Sequence, residues 1–405
     1  MPKRTQILSA HIDRLVPGGQ GIATLENGKK AFIWNALPDE DVSFRLTKSK
    51  SSYCEGVAET ILHPSNNRIT PKDDCFLSTS PWQIMHYDFE LSAKQALVKD
   101  SFAQHHLYLP LPPIKTDRRD FYYRNKMEYS LYWDNDTNKI QLAFHARGSH
   151  RKIPIKTSSL ERPEILTAAQ AIIDDLNHAH ASARDYQSLL VRSDQKGKTS
   201  SALFVKNQPH PTMPTLSDTL LDHAYQYSPN GFFQINLPVY ELALQDIKKH
   251  VDPNLPLLDL YSGVGSIGLS VAYPDQALTL VEVNASAYRE LEYNVQNFHG
   301  KSSPRQHTTP ILEKSENITS HLASNQTVIL DPPRAGCAIS LLDAILDKTP
   351  KTLIYLSCNP ATQARDLSLL CAAPNSPYTI QHSIIYNFFP RTPHIEHLVV
   401  LTKKQ

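Results

Sequence analysis

The 405 residues carry 41 Lys and Arg against 40 Asp and Glu, a formal net charge of +1, which excludes a uniformly basic nucleic-acid coat and a long acidic tail. An apolar fraction of 40% is that of a globular chain, and no run of about 18 apolar residues is present that could span a bilayer. Five cysteines, an odd number in a long chain, argue against a disulfide framework and for a reducing compartment, so the cytoplasm is expected.

At a soft prior of about 150 residues per domain, the length predicts two or three domains. The opening MPKRTQILSAHIDRL has basic residues but no continuous apolar stretch and no small-residue cleavage site, so it is read as carrying no secretory leader. Residues 1–62 read as short strands punctuated by Gly18, Gly19 and Gly21 and by Asn27-Gly28, a strong hairpin signal. They predict a small β-barrel.

Residues 63–225 predict a central, β-rich α+β domain. A helix is expected near LSAKQALVKDSFAQ, then a proline-rich connector, LYLPLPPIKTD, then two strands, MEYSLYW and KIQLAFHA, flanking the turn Asp134 to Asn138. KTDRRDFYYRNK interleaves Arg118, Arg119, Arg124 and Lys126 with Phe121, Tyr122 and Tyr123, and Arg147, Arg151, Lys152 and Lys156 follow. Cations hold phosphate and aromatic faces stack unpaired bases, so the two clusters together predict RNA contact, although any single residue reads equally well as part of a solvated face. With a net charge of +1, such contact must be local.

From residue 226 to 405, short apolar runs (LPLLDLY, ALTLVEV, TVILD, TLIYLS, HLVVLT) alternate with helical segments such as ASAYRELEYNVQNF and ATQARDLSLLCAA. That alternation predicts a doubly wound α/β domain whose ligands sit at the carboxyl ends of parallel strands. The first strand runs into Gly263, Gly265 and Gly268, a G-x-G-x-x-G loop opening a helix, and Glu282 ends the next strand, where a carboxylate can accept hydrogen bonds from ribose hydroxyls. The loop by itself fits a nicotinamide cofactor as well as S-adenosylmethionine.

Two further strands end in Asp331-Pro332-Pro333-Arg334 and in Ser357-Cys358-Asn359-Pro360. Asn359 suits an N-cap and Pro360 the first helical position, which puts Cys358 just before a helix start, where the dipole is expected to lower a thiol pKa. Cys54, Cys337 and Cys371 are read as structural. In PHIEHLVVL, position alone makes Glu396 an exposed edge carboxylate. His394 and His397 point to opposite faces of a strand, so no metal site is read there.

In order along the chain, Phe232-Phe233-Gln234-Ile235-Asn236, LDLYSGVGSIGL, ILDPPRAG, YLSCNP and PRTPHIEHLVVL resemble the motifs of the RNA uracil-5-methyltransferases. The resemblance covers roughly the last 180 residues motif by motif, and the N-terminal region is similar to the small OB-like barrel called TRAM. It implies a Rossmann-like domain using S-adenosylmethionine, with Gln234, Tyr261, Gly263, Gly265, Glu282 and Asp331 at the cofactor or target base. It implies Cys358 as nucleophile and Glu396 as proton acceptor. Ser266 stands where several relatives place a contacting asparagine. RNA is the implied partner, 23S rRNA favoured over tRNA by the barrel, and a monomer is the expectation. Many ribosomal RNA members hold an iron-sulfur cluster through four cysteines, but between Asn66 and Tyr87 only Cys75 is present, so no cluster is expected and replacement packing is expected around Trp82.

Other classes predict different observations. An exocyclic-nitrogen methyltransferase would place an aromatic residue after the two prolines, where Arg334 stands, and an RNA cytosine-5 enzyme a second cysteine directly after them; Cys337 comes four residues after Pro333. A dehydrogenase would be stabilised by nicotinamide nucleotides. A non-catalytic RNA binder would tolerate loss of Cys358.

Overall fold

Period-two burial in three short apolar strands organises the largest sheet of the molecule. The computed structural model describes residues 6–298, 307–371 and 376–404. The first residues of the segment read above for a leader, and the end of the helical run ATQARDLSLLCAA, lie outside these. In the strands Leu257–Leu260, Thr327–Leu330 and Thr352–Ser357, Leu258, Leu260, Val328, Leu330, Leu353 and Tyr355 face one apolar layer. Leu257, Ile329, Ile354 and Leu356 face the other. A sheet buried on both faces reads as a continuous apolar run, which is how these strands appear in the sequence.

Seven strands form this sheet. Counted in chain order they lie 3-2-1-4-5-7-6, and all are parallel except the last, Glu396–Lys403, which runs antiparallel to both Thr352–Ser357 and Tyr378–Tyr386. The order reverses beside Leu257–Leu260, so the crevice beyond its carboxyl end is where such a sheet binds a ligand. The doubly wound expectation holds.

The helices Leu237–Lys249, Ser266–Val271 and Ala285–Gln296 and the hairpin strands Leu216–Leu220 and His223–Tyr227 cover one face. The helices Ile339–Lys348 and Pro360–Cys371 cover the other, together with Tyr87–Ala103 from the preceding region, through Leu97, Val98 and Phe102. Packing therefore runs across the expected division at residue 226. Apolar contact decides the grouping, and the linker composition did not reveal it.

Five antiparallel strands, ordered 199–205, 186–193, 126–134, 139–145 and 152–154, form the central sheet, whose apolar face is covered by the helix Pro163–His178. The expected strands around Asp134 to Asn138 are two of these. Around Cys75, polar groups close on one another: Asp73 Oδ2 accepts from Ser159 Oγ at 2.7 Å and Gln83 Nε2 at 2.8 Å, while Glu161 accepts from Tyr129 and Ser158. Burial pushes the Cys75 thiol up to about 12, so it is an inert, protonated core group.

The N-terminal strands lie in the order 7–11, 41–49, 53–63, 30–34, 21–24 and 14–15. One continuous segment, residues 7–15, supplies both edges, and Ile12 N–H donates to Glu40 O while Asp13 N–H donates to Ile22 O, which curls the sheet toward a barrel. The Asn27-Gly28 hairpin joins strands 21–24 and 30–34 as expected.

Trp82 fastens this barrel to the large core. Its ring is fully buried, its Nε1–H donates to Gly19 O at 3.0 Å, and its backbone N–H donates to Arg391 O at 3.0 Å. Packing around Trp82 was expected, and the ring belongs to the core beneath the catalytic sheet. Trp82→Ala is expected to cost about 3–5 kcal/mol of unfolding free energy, the range for deleting a buried aromatic. A urea titration reads this as a lower midpoint, and an unchanged midpoint contradicts the packing described.

Candidate active site

A single cavity of about 1090 Å³ opens at the carboxyl ends of the parallel strands. Its wall includes Gln234, Tyr261, Gly263, Glu282, Asp331, Cys358 and Glu396, so seven of the eight residues expected at the cofactor or the chemistry share one space. Gly265 does not line it. A side chain at Gly265 would meet Leu291 Cδ1 at 2.6 Å, and φ is +87°, so this glycine permits the tight helix start and its packing.

Gly263 faces the cavity with φ of +57°, and a Cβ there would meet no atom within 4 Å. Glu282 closes the loop from the neighbouring strand: its carboxylate accepts the Gly263 N–H at 2.8 Å and the Asn284 N–H at 2.6 Å. A bare backbone beside an anchored carboxylate fits an adenosine with its ribose hydroxyls. Beneath, Asp259 Oδ2 accepts the Gly268 N–H at 2.9 Å, and burial pushes its carboxyl up to about 8. Tyr261 lines the cavity, and its hydroxyl lies near Cys337 in the core. Ser266 pairs with Tyr240 Oη at 2.8 Å and does not line the cavity, so the asparagine contact of relatives has no counterpart there.

Cys358 follows the strand Thr352–Ser357 and precedes the helix Pro360–Cys371. Asn359 Oδ1 accepts the Ala361 N–H at 3.2 Å and Pro360 takes the first helical position, as the sequence predicts. The expected lowering of the thiol pKa is overturned. Burial, reinforced by the carboxylates of Glu396 and Asp331, pushes it up to about 11 against the opposing Arg334 guanidinium. Desolvation and two nearby carboxylates outweigh one helix terminus.

Glu396 is buried, not an exposed edge group. Its strand is inserted between two others, and the register pairs Ser357 with His397, so antiparallel pairing sets Glu396 beside the loop carrying Cys358. Burial, with Asp331 adding to it, holds the Glu396 carboxyl well above the usual range, while Arg334 opposes the rise. Burial likewise pushes Asp331 up to about 7. The two histidines do not share a strand as expected, since the strand begins only at Glu396: His394 precedes it and lines the cavity, and His397 is bonded to Ser383 and Gln363. Burial first, and for His394 also Arg334, lowers them to about 4 and about 3, so both are neutral imidazoles.

Arg334 is the residue the sequence reasoning passed over. It follows the two prolines, its guanidinium lies 3.3 Å from His394 Nδ1, and its carbonyl accepts from Asn359 Nδ2 at 2.9 Å and Thr362 Oγ1 at 3.1 Å. The two loops are thus clasped because their strands are parallel neighbours. Phe232, Phe389 and Lys314 also line the cavity, and only Phe232 stood in a motif that could have flagged it.

The basic clusters divide. Lys126 Nζ donates to the carbonyls of Asn230 and Gly231, Lys152 Nζ to Leu131 O, and Arg147 stacks on Trp34 while donating to Leu77 O. These three side chains are engaged within the fold. Arg124 is half-buried beside Glu161, Arg118 pairs with exposed Asp88, and Arg119 and Arg151 are exposed. No group of three or more His, Cys, Asp or Glu among the described residues is arranged for a metal.

A doubly wound sheet with this strand order, a glycine loop answered by Glu282, and a cysteine beside a buried carboxylate define an S-adenosylmethionine-dependent methyltransferase. Residues 215–404 match the family model described as tRNA (uracil-5-)-methyltransferase. Over that span, just under half of its length, the chain resembles the RNA uracil-5-methyltransferases. It is 27% identical to an RNA methyltransferase of Lactobacillus johnsonii over 100% of both chains. It is 26% identical to the 23S rRNA (uracil(1939)-C(5))-methyltransferase of Dichelobacter nodosus, covering 95% of this chain and 96% of that one. The fold matches that of the Pyrococcus abyssi tRNA (uracil-54, C5)-methyltransferase, solved with S-adenosyl-L-homocysteine, at a TM-score of 0.77 and 19% identity, over 98% of this chain and 100% of that one.

Alkylation of Cys358 by iodoacetamide, followed by peptide mass spectrometry, is expected to accelerate about tenfold per pH unit up to about pH 11, since only the thiolate reacts. Arg334→Met removes the opposing cation and is expected to move that profile to higher pH. A profile already flat at neutral pH contradicts the electrostatics described.

Proposed function

We propose that this enzyme methylates carbon 5 of a uridine in RNA, most naturally in 23S rRNA, by covalent catalysis through Cys358 with Glu396 as the base. The observation that carries the reading is the meeting of Cys358 and Glu396 in the cavity that also holds Gly263 and Glu282.

Carbon 5 of uracil is too weak a nucleophile to take a methyl group directly. Cys358 solves this by forming a bond from Sγ to carbon 6, which sends the ring electrons to carbon 5 and the adjoining carbonyl. The thiol proton leaves to solvent by way of the open cavity that Cys358 lines. Arg334 is the cation beside the sulfur as charge develops there, and it offsets Glu396 and Asp331. S-adenosylmethionine supplies a methyl group on a positively charged sulfur and departs as S-adenosylhomocysteine. Gln234, Gly263, Glu282 and Asp331, which line the same cavity, would hold the cofactor and the target base there. Glu396 then takes the carbon 5 proton, the ring double bond re-forms, and the Cys358 thiolate is expelled. Burial that raises Glu396 makes its carboxylate the stronger base that this step requires.

The target base must leave its stack to enter such a cavity. Exposed Arg119 and Arg151, Arg118 in an exchangeable ion pair, and the N-terminal barrel are the groups we assign to the surrounding strand. The match to a relative named for 23S rRNA at 26% identity, against 19% for the tRNA enzyme that shares the fold, is what we take in favour of ribosomal RNA. No helix among the described residues is long and apolar enough to cross a membrane, which accords with a cytoplasmic site of action.

The test is incubation with labelled S-adenosylmethionine and unmodified total RNA, followed by nucleoside analysis of the separated RNAs. 5-Methyluridine in the large ribosomal RNA is expected; none in any RNA overturns the activity, and label in tRNA alone overturns the substrate. Glu396→Gln is expected to accumulate a covalent enzyme-RNA adduct, stable to denaturant, that the additional change Cys358→Ala abolishes.

A further inference from the structure

The side chain of Arg192, in the strand Tyr186–Ser193, is fully buried, yet among the described residues no ion pair joins it to a carboxylate; Asp218, which accepts from Tyr227 Oη at 2.6 Å, is the acidic group that acts on it. Desolvating an unpaired cation is among the most expensive things a fold does, so its partners are informative. They are main-chain carbonyls. Nη2 donates to Phe233 O at 2.7 Å and Gln234 O at 3.3 Å, and Nη1 reaches Gly231 O at 3.4 Å. The guanidinium plane lies over the Tyr227 ring at 4.5 Å and beside Phe233 at 5.7 Å, and those two rings stack on each other at 4.2 Å.

Two further donors converge on the same segment from the neighbouring strand and its approach. Asn125 Nδ2 donates to Gln234 O at 3.1 Å, and Lys126 Nζ donates to Asn230 O and Gly231 O at 3.1 Å each. Thus four carbonyls, those of Asn230, Gly231, Phe233 and Gln234, are gripped by three side chains of the central domain. The same short segment lines the catalytic cavity through Asn230, Gly231, Phe232 and Gln234. It has no regular secondary structure to hold it, since it falls between the strand His223–Tyr227 and the helix Leu237–Lys249. Asn236 Nδ2, which donates to Phe388 O at 3.1 Å, ties its far end to the loop that leads to Glu396.

We propose that Arg192, assisted by Asn125 and Lys126, is the positioning residue for the 230–234 wall of the cofactor cavity, so that the central domain is a working part of the cofactor site. A guanidinium fork suits this task because it presents donors in a fixed plane to several carbonyls at once, which an ammonium does not. The arrangement also gives the RNA-facing domain a mechanical connection to the cofactor wall. The inference rests on the identity of the cavity as the S-adenosylmethionine site, and binding of S-adenosylhomocysteine to the unaltered enzyme checks that identity separately.

The experiment compares Arg192→Gln, Arg192→Lys and the milder Asn125→Ala in the full chain. Affinity for S-adenosylhomocysteine is measured by calorimetry, KM and kcat with RNA by methyl transfer, RNA affinity by filter binding, and folding by thermal melting. Arg192→Gln is expected to weaken S-adenosylhomocysteine and raise KM for S-adenosylmethionine by at least about tenfold, the equivalent of one lost charge-assisted hydrogen bond. RNA affinity and the iodoacetamide reactivity of Cys358 are expected to stay within about twofold, differences too small to represent a lost contact. Arg192→Lys is expected to recover part of the loss, and millimolar guanidinium part of the Arg192→Gln defect. A folded Arg192→Gln with unaltered cofactor affinity overturns the proposal, as does a loss shared equally by RNA and cofactor. If Arg192→Gln does not fold, Asn125→Ala decides: it must raise KM for S-adenosylmethionine while leaving RNA affinity unchanged, and an unchanged KM overturns the proposal.

Discussion

The insertion of one antiparallel strand, Glu396–Lys403, into an otherwise parallel sheet is the constraint on which the site depends. Parallel strands all deliver their carboxyl ends to the same side, so a residue at a strand's start would ordinarily be on the opposite side of the molecule. Reversing this strand brings its first residue to the catalytic edge. The register with Thr352–Ser357 then fixes Glu396 next to Cys358, because ladder hydrogen bonds allow pairing only in whole residues.

Around that junction the protein places charge with little water to screen it. Asp259, Asp331 and Glu396 all have carboxyls raised by burial, and Cys358 is raised by burial and by two of them. Such a site suits proton transfer, and it holds the Cys358 thiol protonated until the environment changes. Arg334 is the cation that tempers it. Its backbone is clasped to the start of the helix Pro360–Cys371, so the loop bearing the prolines and the loop bearing the thiol are held as one unit. The neutral imidazole of His394 beside it leaves the guanidinium as the local positive charge.

Buried ionic groups away from the chemistry hold the turn that leads into Glu396. Lys94 pairs with Glu90 at 3.0 Å and donates to Asn387 Oδ1 and Phe389 O, while Arg391 donates to Met85 O and pairs with Asp120. Breaking one partner of a buried pair leaves an uncompensated charge costing about 3–5 kcal/mol, so this turn is rigid for electrostatic reasons. The helix Tyr87–Ala103 that carries Glu90 and Lys94 also packs its apolar side under the sheet, which explains why packing crosses the compositional boundary.

The sequence by itself determined the alternation of strands and helices, the glycine loop with Glu282 and the Asn359-Pro360 helix start, and its ordered motifs singled out Cys358 and Glu396, because these depend on local backbone preferences or on motif order. It could not show that Glu396 is buried, that Cys358 is harder to ionise than a free thiol, or that Gly265 serves packing while Gly263 faces the cavity. Nor could it separate Lys126, Arg147 and Lys152, which grip carbonyls or stack in the fold, from Arg119 and Arg151, which face solvent. Those outcomes depend on desolvation and on partners far away in the chain, and only the tertiary structure brings such groups together and removes the water between them.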